Sequence, residues 1–228
     1  MKTIIIQAFE MMQPHIGEAI RKVTFYPAMR AIVPVEVHGE ENLTNLDSPV
    51  VFIANHSSHL DTLSILKALP GKQRLQTKVA AANDYFYSNG WKGKLVSTLF
   101  NCISFSRKGD GCFTSLMKTQ HLLKDGKNIL IFPEGTRSVD GQLHTFKKGA
   151  AHLVKHSGVA VVPIHLEGTF EAMPKGARFP RHHHITVIFG EPMRFSETAS
   201  TTEINIAMEQ QLRRMAGVET IDTHNRAA

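Results

Sequence analysis

Two short segments contain the residues whose types and spacing are best suited to chemistry. The first, NHSSHLD at 55–61, contains a histidine and an aspartate at His56 and Asp61. The second, FPEGTRS at 132–138, contains a glutamate, a turn-forming glycine and an arginine. A histidine oriented by a carboxylate is suited to general-base chemistry, and an arginine in a tight turn is suited to binding an anion. Together the two segments predict catalysis on a phosphorylated substrate.

His56 and Asp61 can meet only if the chain turns between them. Residues five apart on an ideal helix differ in direction by about 140°, so one continuous helix would keep the two side chains apart. We expect a strand that ends near Asn55, a turn at 57–58 and a helix that begins near Asp61. The carboxylate would then hold one imidazole nitrogen and raise the basicity of the other. In the alternative interpretation Asp61 only caps a helix and His56 is a loop histidine, while His59 is in either case a helix-facing neighbour and not a second base.

The second segment combines turn geometry with anion binding. Pro133 fixes φ and Gly135 permits unusual backbone angles. Glu134 and Thr136 are suited either to bond substrate hydroxyls or to staple the turn. The planar guanidinium of Arg137 suits a phosphate. The alternative interpretation is a structural turn with a surface arginine.

Further positive charge is predicted at the same place. Arg107 and Lys108 close a predicted strand, and Lys147 and Lys148 lie at the start of a predicted helix, where the helix dipole also favours anions. Lysines at a helix start are often only solvated, so either one alone is weak evidence. These cations add to the positive charge expected around Arg137.

The elements that must position these residues alternate along the chain. Each segment follows an apolar run typical of a buried strand, VVFIA at 50–54 and NILIF at 128–132. The other predicted strands lie at 36–39, 78–82, 101–107, 160–166 and 185–190, and the predicted helices at 61–69, 85–99, 112–125, 147–157 and from Ser200 onward. Strands alternating with helices predict an α/β fold with a mixed, largely parallel sheet flanked by helices. A parallel sheet would bring both segments to its carboxyl edge, where such sheets bind ligands.

Composition sets wider bounds on the class of protein. The chain has 228 residues, of which 42% are hydrophobic and 20% charged, which is typical of a folded domain. The formal charge of +6 fits an anionic partner, whether a phosphorylated metabolite, a membrane surface or a nucleic acid. Cys102 and Cys112 show neither a disulfide framework nor zinc spacing, which favours a reducing compartment.

Residues 1–34 are predicted to be an amphipathic, membrane-associating helical segment that precedes a folded domain at 35–228. Their apolar residues recur at spacings of three and four: Ile5, Phe9, Met12, Ile16 and Ile20. Such a helix either packs on its own domain or lies in a bilayer interface. No run approaches the ~18 apolar residues of a membrane span, and no signal-peptide cleavage site is evident. We therefore expect peripheral attachment to the cytoplasmic face of the cell membrane.

With these residues in view, the chain resembles the glycerolipid acyltransferase family, specifically bacterial lysophosphatidate acyltransferases, from about residue 35 to 192. Residues 56–61 resemble the family's His-x4-Asp block, and 132–138 match its Phe-Pro-Glu-Gly-Thr-Arg-Ser block. Arg107 resembles the arginine of the second block. Val162-Pro163-Ile164 resembles the fourth block, a strand with a proline near the acyl site. Family members commonly have glycine where Asn101 stands and an aromatic residue where Ser104 stands, and these departures bear on the acceptor.

The resemblance implies acyl transfer from a thioester, acyl-CoA or acyl-acyl carrier protein (acyl-ACP), to the free hydroxyl of a lysophospholipid. His56 and Asp61 would form the base, and backbone N–H groups near the following helix start would hold the oxyanion. Arg107, Arg137 and Lys148 would hold the acceptor phosphate. Glu134, Gly135 and Thr136 would shape the turn around its glycerol. No acyl-enzyme, cofactor or metal is implied. The acceptor is expected to be 1-acyl-sn-glycerol-3-phosphate, and another lysophospholipid or hydroxyl is the alternative.

Two other classes fit the sequence less well. RHHH at 181–184 suggests a metal-dependent hydrolase, but no His-Glu-x-x-His or carboxylate-rich cluster accompanies it. The positive charge suggests a non-catalytic lipid or nucleic-acid binder. Aromatic residues make up only 7% of the chain, which disfavours nucleic acid. A lipid-binding relic would be expected to have lost His56 or Asp61, and both are present.

Overall fold

The fold is a seven-stranded sheet with helices on both faces. The computed structural model of the chain describes residues 12–44, 46, 49–82, 90–106 and 110–218. The strands are β1 (Val35–His38), β2 (Val50–Ala54), β3 (Thr77–Ala82), β4 (Cys102–Phe105), β5 (Asn128–Ile131), β6 (Ala160–Glu167) and β7 (Ile185–Phe189). The helices are α1 (12–20), α2 (Tyr26–Ile32), α3 (Leu60–Ala68), α4 (Gly71–Gln76), α5 (Gly90–Phe100), α6 (Asp110–Lys124), α7 (Gly149–Ser157), α8 (Thr169–Ala172) and α9 (Thr201–Met215).

The sheet order places β2 and β5 side by side near its centre. The order is β1-β7-β6-β2-β5-β3-β4, and only the β6–β7 pairing is antiparallel among the pairings of the described strands. In the β2–β5 register Ile53 lies opposite Ile131. Because the strands are parallel, the segments that follow them leave the same edge of the sheet together. The predicted α/β class with a mixed, largely parallel sheet is confirmed.

Two apolar cores explain why the central strands are buried on both faces. All five residues of β2 are buried, as expected for a central parallel strand covered by helices on both sides. Phe52 faces a core that includes Met29 of α2 and the apolar residues of α3. Ile53 faces the other core, which includes Leu123 of α6 and residues of α7 and α9. The apolar run at 50–54 thus forms a rigid strand immediately before His56.

Some element boundaries differ from the predicted ones. Pro70 and Gly71 were expected only to end a helix, but Pro70 is the N-cap of the short helix α4, because proline lacks the N–H that an N-terminal position leaves unpaired. The short helix α8 has no counterpart among the predicted elements. The predicted helix at 85–99 is described from Gly90 onward, and residues 83–89 lie outside the described residues. The Ser200–Glu203 capping box that opens α9 is present.

The N-terminal helix packs on the domain through a face that is unlike the predicted one. A π-helical turn, Arg21–Phe25, joins α1 to α2. Glu18 and Arg21 are buried against the domain, whereas Met12 is 58% exposed. Ile5 and Phe9 lie outside the described residues. The helical segment is confirmed, but charged residues, not the apolar stripe, form its inner face. Among the residues that the structure describes, no helix has both the length and the apolar composition that crossing a bilayer requires.

Candidate active site

His56 and Asp61 meet at the carboxyl end of β2. The Nδ1 atom of His56 lies 2.7 Å from Oδ2 of Asp61, which is fully buried. The chain leaves the strand at Asn55, turns, and begins α3 at Leu60. The expected contact across a turn is therefore confirmed. The carboxylate accepts a hydrogen bond from the Nδ1–H group. This arrangement leaves Nε2 as the nitrogen that can accept a proton from a substrate.

The backbone of the turn supports Asp61. The N–H groups of Ser57 and Ser58 both donate to Oδ2 of Asp61, at 2.7 and 2.9 Å. The N–H of Leu60 donates to the Ser58 hydroxyl at 3.1 Å. The N–H groups of Ser57, Ser58 and Leu60 are therefore already used within the protein, although backbone donors near this helix start were expected to hold an oxyanion. The first two orient the carboxylate of Asp61 behind His56.

The second segment contacts both the backbone and the ring of His56. The N–H of His56 donates to Oε1 of Glu134 at 2.8 Å, and the N–H of Ser138 donates to the carbonyl oxygen of His56 at 2.7 Å. The imidazole stacks on the ring of Phe132 with 4.0 Å between ring centroids. The two segments that the sequence places far apart are thus joined through the backbone and the ring of one residue.

Glu134 acts as a staple between two loops. Its second oxygen, Oε2, accepts the N–H of His144 at 3.0 Å, and the residue is only 3% exposed. Burial raises the pKa of Glu134, and the two backbone donors partly offset that effect. Of the two roles predicted for this carboxylate, the structure shows the stapling one, because both oxygens bond the backbone and the residue does not line the adjacent cavity.

A cavity of about 560 Å³ opens beside His56 and has two chemically distinct arms. The polar arm is lined by residues of the two segments, of α3 and of the loop before α7: His56, Ser58, His59, Thr62, Gly135, Thr136, Arg137 and Lys147. The apolar arm lies toward β3, β4 and α5, and its lining residues are Val79, Ala80, Ala81, Val96, Phe100, Cys102, Phe105 and Ile131. A pocket of this size with one charged and one apolar region fits an amphiphilic ligand.

Arg137 provides the clearest indication of a binding position for an anion. Its Nη1 nitrogen is buried and has no hydrogen-bond partner among the described residues. Leaving a buried charged donor unpaired is costly, so this nitrogen is suited to a charged acceptor from a ligand. The aliphatic chain of Lys147 lies against the turn at Gly135, where φ is 73°. Two cations therefore border the polar arm within reach of the turn.

Comparison with known proteins then identifies the family. The model of a family described as acyltransferase matches residues 34–167. The chain belongs to this acyltransferase family. The chloroplastic 1-acyl-sn-glycerol-3-phosphate acyltransferase of Arabidopsis thaliana is 34% identical over 178 residues, which cover 77% of this chain and 47% of that protein. The yeast Saccharomyces cerevisiae has a 1-acyl-sn-glycerol-3-phosphate acyltransferase that is 31% identical over 159 residues, 68% of this chain and 50% of that protein.

The chain spans about half the length of these two curated relatives. A solved structure from Thermotoga maritima, described as a 1-acyl-sn-glycerophosphate acyltransferase, has a similar fold with a TM-score of 0.65 and 24% identity. The matched region covers 93% of this chain and 79% of the Thermotoga maritima chain. The acyltransferase fold therefore extends beyond the part matched by the family model, over most of this chain.

The candidate site includes some predicted residues and not others. His56, Gly135, Thr136 and Arg137 line the cavity, and Asp61 lies directly behind His56. Two further predicted residues lie elsewhere: Lys148 is exposed outside the lining, and Pro163 is buried in β6 opposite Ile53. Arg107 lies outside the described residues.

Four residues of the polar arm were not among the predicted site residues: Ser58, His59, Thr62 and Lys147. Lys147 takes the place expected of Lys148, and His59 lines the cavity instead of facing its helix. Neither Asn101 nor Ser104, the two departures from the family pattern, is among the lining residues. Within the described part of the chain, no group of three or more His, Cys, Asp or Glu side chains is arranged to hold a metal ion.

Proposed function

We propose that the chain transfers an acyl group from an acyl thioester to the free hydroxyl of 1-acyl-sn-glycerol-3-phosphate and so forms phosphatidic acid. One observation carries the proposal: the His56–Asp61 pair and the unpaired Nη1 of Arg137 border the same cavity. A base and an anion site on one cavity fit an acceptor that has both a hydroxyl and a phosphate. The names of the relatives support this acceptor.

The proposed chemistry needs only this base. Nε2 of His56 takes the proton of the acceptor hydroxyl, and the oxygen attacks the thioester carbonyl to form a tetrahedral intermediate. The carbon–sulfur bond then breaks, and the imidazolium returns its proton to the leaving thiolate. Asp61 keeps Nδ1 protonated and stabilises the imidazolium while it exists. Arg137 and Lys147 hold the phosphate, which fixes the hydroxyl beside Nε2.

The apolar arm suits the acyl chains, and its cysteine argues against a covalent acyl-enzyme. Cys102 is the cysteine of that lining, and burial raises its thiol pKa to about 12. A thiol with this pKa is protonated at neutral pH and is a poor nucleophile. Direct transfer from the thioester to the acceptor is therefore the proposed route. The donor is acyl-CoA or acyl-ACP, which is consumed as a substrate.

The proposed location is the cytoplasmic face of the membrane, with peripheral attachment through the N-terminal helical segment. In support, Met12 and Val23 on that segment are 58% and 78% exposed. Large exposed apolar side chains on amphipathic helices are typical of surfaces that bind bilayers. The lysophospholipid acceptor is itself amphiphilic, so a protein at the bilayer surface meets it where it is concentrated.

The test is an acceptor screen with one radiolabelled acyl-CoA. Lysophosphatidate, a phosphate monoester, should be acylated, while lysophosphatidylcholine, whose phosphate is a diester with a single negative charge, should react much more slowly. His56→Ala should lower kcat by about 10²-fold or more, because general-base catalysis contributes about that much. Arg137→Ala should raise the acceptor KM about tenfold or more through the loss of a charge-assisted hydrogen bond.

His152→Ala is the matched control, because His152 is an exposed histidine of α7 that does not line the cavity. It should keep wild-type kinetics. Full transfer by His56→Ala would refute the base. A stronger reaction with a lysophospholipid other than lysophosphatidate would keep the chemistry and replace the acceptor.

A further inference from the structure

His59 shares one cavity with the base and the anion site. It immediately precedes α3 and lines the polar arm of the cavity together with His56, Arg137 and Lys147. The charges of both Arg137 and His56 act on it, which places it near each of them. An acceptor that contacts both His56 and Arg137 therefore occupies the arm that His59 lines.

The charges around His59 are those of an anion site. Burial lowers the pKa of His59, the positive charges of Arg137 and His56 lower it further, and the carboxylate of Asp61 opposes them. Lys147 is a further cation that borders the arm. These influences arise from burial and charge and not from a hydrogen bond within the described part of the chain. His59 is nevertheless exposed and lines the cavity, so its ring nitrogens are available to a ligand there.

We propose that His59 is a further ligand of the acceptor phosphate, beside Arg137 and Lys147, and takes up a proton from solvent when that phosphate binds. The inference rests on the proposed function, because it requires a phosphorylated acceptor. A bound phosphate dianion offsets the positive charge of Arg137 and favours the imidazolium. The proton adds a charge-assisted hydrogen bond to the phosphate, and the binding step thereby becomes dependent on pH.

The direction of this dependence follows from linkage. Because His59 binds a proton more readily in the complex than in the free protein, acceptor affinity rises as pH falls through the pKa of His59 in the complex. The phosphate monoester has its own second ionisation near pH 6, but that ionisation is the same for every protein variant. The difference between the wild type and a His59 variant therefore isolates the contribution of His59.

The experiment measures proton uptake and kinetics separately. Calorimetric titration with a short-chain 1-acyl-sn-glycerol-3-phosphate below its micelle concentration is done without acyl donor, in two buffers of different ionisation enthalpy at pH 7. We expect the wild type to take up more protons than His59→Gln. We also expect the acceptor KM at pH 6.5 to rise about tenfold in both His59→Gln and His59→Phe, with kcat changed far less.

His182→Gln is the control, because His182 is an exposed histidine outside the cavity lining. Thermal unfolding of each variant checks that the fold is kept. Equal proton uptake and equal acceptor KM in the wild type and His59→Gln would overturn the role of His59 while leaving the proposed function intact. A wild-type protein that neither binds nor acylates lysophosphatidate would overturn the proposed acceptor, and the inference with it.

Discussion

His56 is held by four different contacts, three from the segment 132–138 and one from Asp61. Its N–H is bound by Glu134, its carbonyl oxygen by Ser138, its ring by Phe132 and its Nδ1 by Asp61. A base that must reach one substrate hydroxyl gains from such constraint, because small displacements are costly in catalysis. The contact between NHSSHLD and FPEGTRS therefore serves to position His56 as well as to bring the base near the anion site.

Removing the Glu134 carboxylate distinguishes a structural role for this residue from a role in substrate binding. Glu134→Ala leaves two N–H groups without an acceptor, each at a cost of about 1–3 kcal/mol if it remains buried. We expect the free energy of unfolding to fall and kcat to drop more than tenfold, with little change in acceptor KM. Urea denaturation and steady-state kinetics measure the two effects. Glu134→Gln keeps one acceptor oxygen and should be intermediate.

Glu197→Ala is the matched control, because Glu197 is an exposed glutamate remote from the cavity lining. It should leave stability and kinetics unchanged. Unchanged stability in Glu134→Ala together with a raised acceptor KM would show instead that the carboxylate binds the substrate.

Much of the site could be predicted residue by residue, and one miss has a clear geometric cause. The helix that was expected to begin at Lys147 begins at Gly149. A shift of two residues rotates a helical side chain by about 200°, so the wrong lysine was expected to face the anion. Lys147 instead lies in the preceding loop, where its N–H donates to the carbonyl oxygen of Pro133 at 2.9 Å. Sequence patterns do not specify such a loop contact.

At the scale of elements, the buried strands were predictable because their apolar runs are unbroken, but the turns between elements were not. Asn101 stands where relatives commonly have glycine, and its φ is 54°. Asparagine tolerates this left-handed conformation, and its side chain bonds Thr77 and Lys78 at 2.7 and 2.6 Å. The departure from the family pattern therefore belongs to the α5–β4 turn and not to the cavity.

The N-terminal helix shows where hydrophobic periodicity misleads. Glu18 of α1 binds Arg21 at 2.9 Å and Arg74 of α4 at 2.5 Å. Arg21 also donates to the carbonyl oxygen of Leu99, at the end of α5. A buried cluster of ion pairs thus fixes the helix, and the spacing of apolar residues in the sequence does not reveal it. Met12 and Val23 are exposed, whereas Ile16 and Ile20 of the predicted apolar stripe are half-buried.

This cluster predicts a dependence of stability on pH. Burial alone would raise the pKa of Glu18, but the hydrogen bonds and charges of Arg74 and Arg21 hold it below its ordinary value of 4.5. A lowered folded-state pKa stabilises the protein above the ordinary value, and the stabilisation is lost as pH falls through the folded-state value. The wild type should therefore exceed Glu18→Gln in unfolding free energy by about 1–3 kcal/mol at pH 7. The difference should shrink below pH 4.5.

Urea denaturation at several pH values measures that difference. Glu41→Gln is the control, since Glu41 is an exposed glutamate of the turn after β1, and it should show no difference at any pH. A wild-type advantage that stays constant from pH 7 to below 4.5 would contradict the role given to the Glu18 carboxylate.

At the scale of the whole molecule, the two faces of the sheet are covered by different helices. Helices α2 and α3 pack on one face, whereas α6, α7 and α9 cover the other. The exposed apolar side chains Met12 and Val23 belong to the N-terminal helices. Removing residues 1–34 would not test their function cleanly, because Met29 and Val33 are core residues with 3% and 1% exposure. Point substitutions at exposed positions avoid this damage.

The proposed membrane contact therefore predicts that the double variant Met12→Ser, Val23→Ser binds vesicles more weakly while its fold is kept. Burying one large apolar side chain is worth about 1.5–3 kcal/mol, so the loss of two should weaken binding to anionic phosphatidylglycerol vesicles at least about tenfold. Activity on lysophosphatidate dispersed in detergent should not change, because neither residue lines the cavity. Ile206→Ser, Val218→Ser is the matched control on and after α9, where the two side chains are 39% and 38% exposed. Equal sedimentation of both double variants with vesicles would show that the N-terminal helices do not carry the membrane contact.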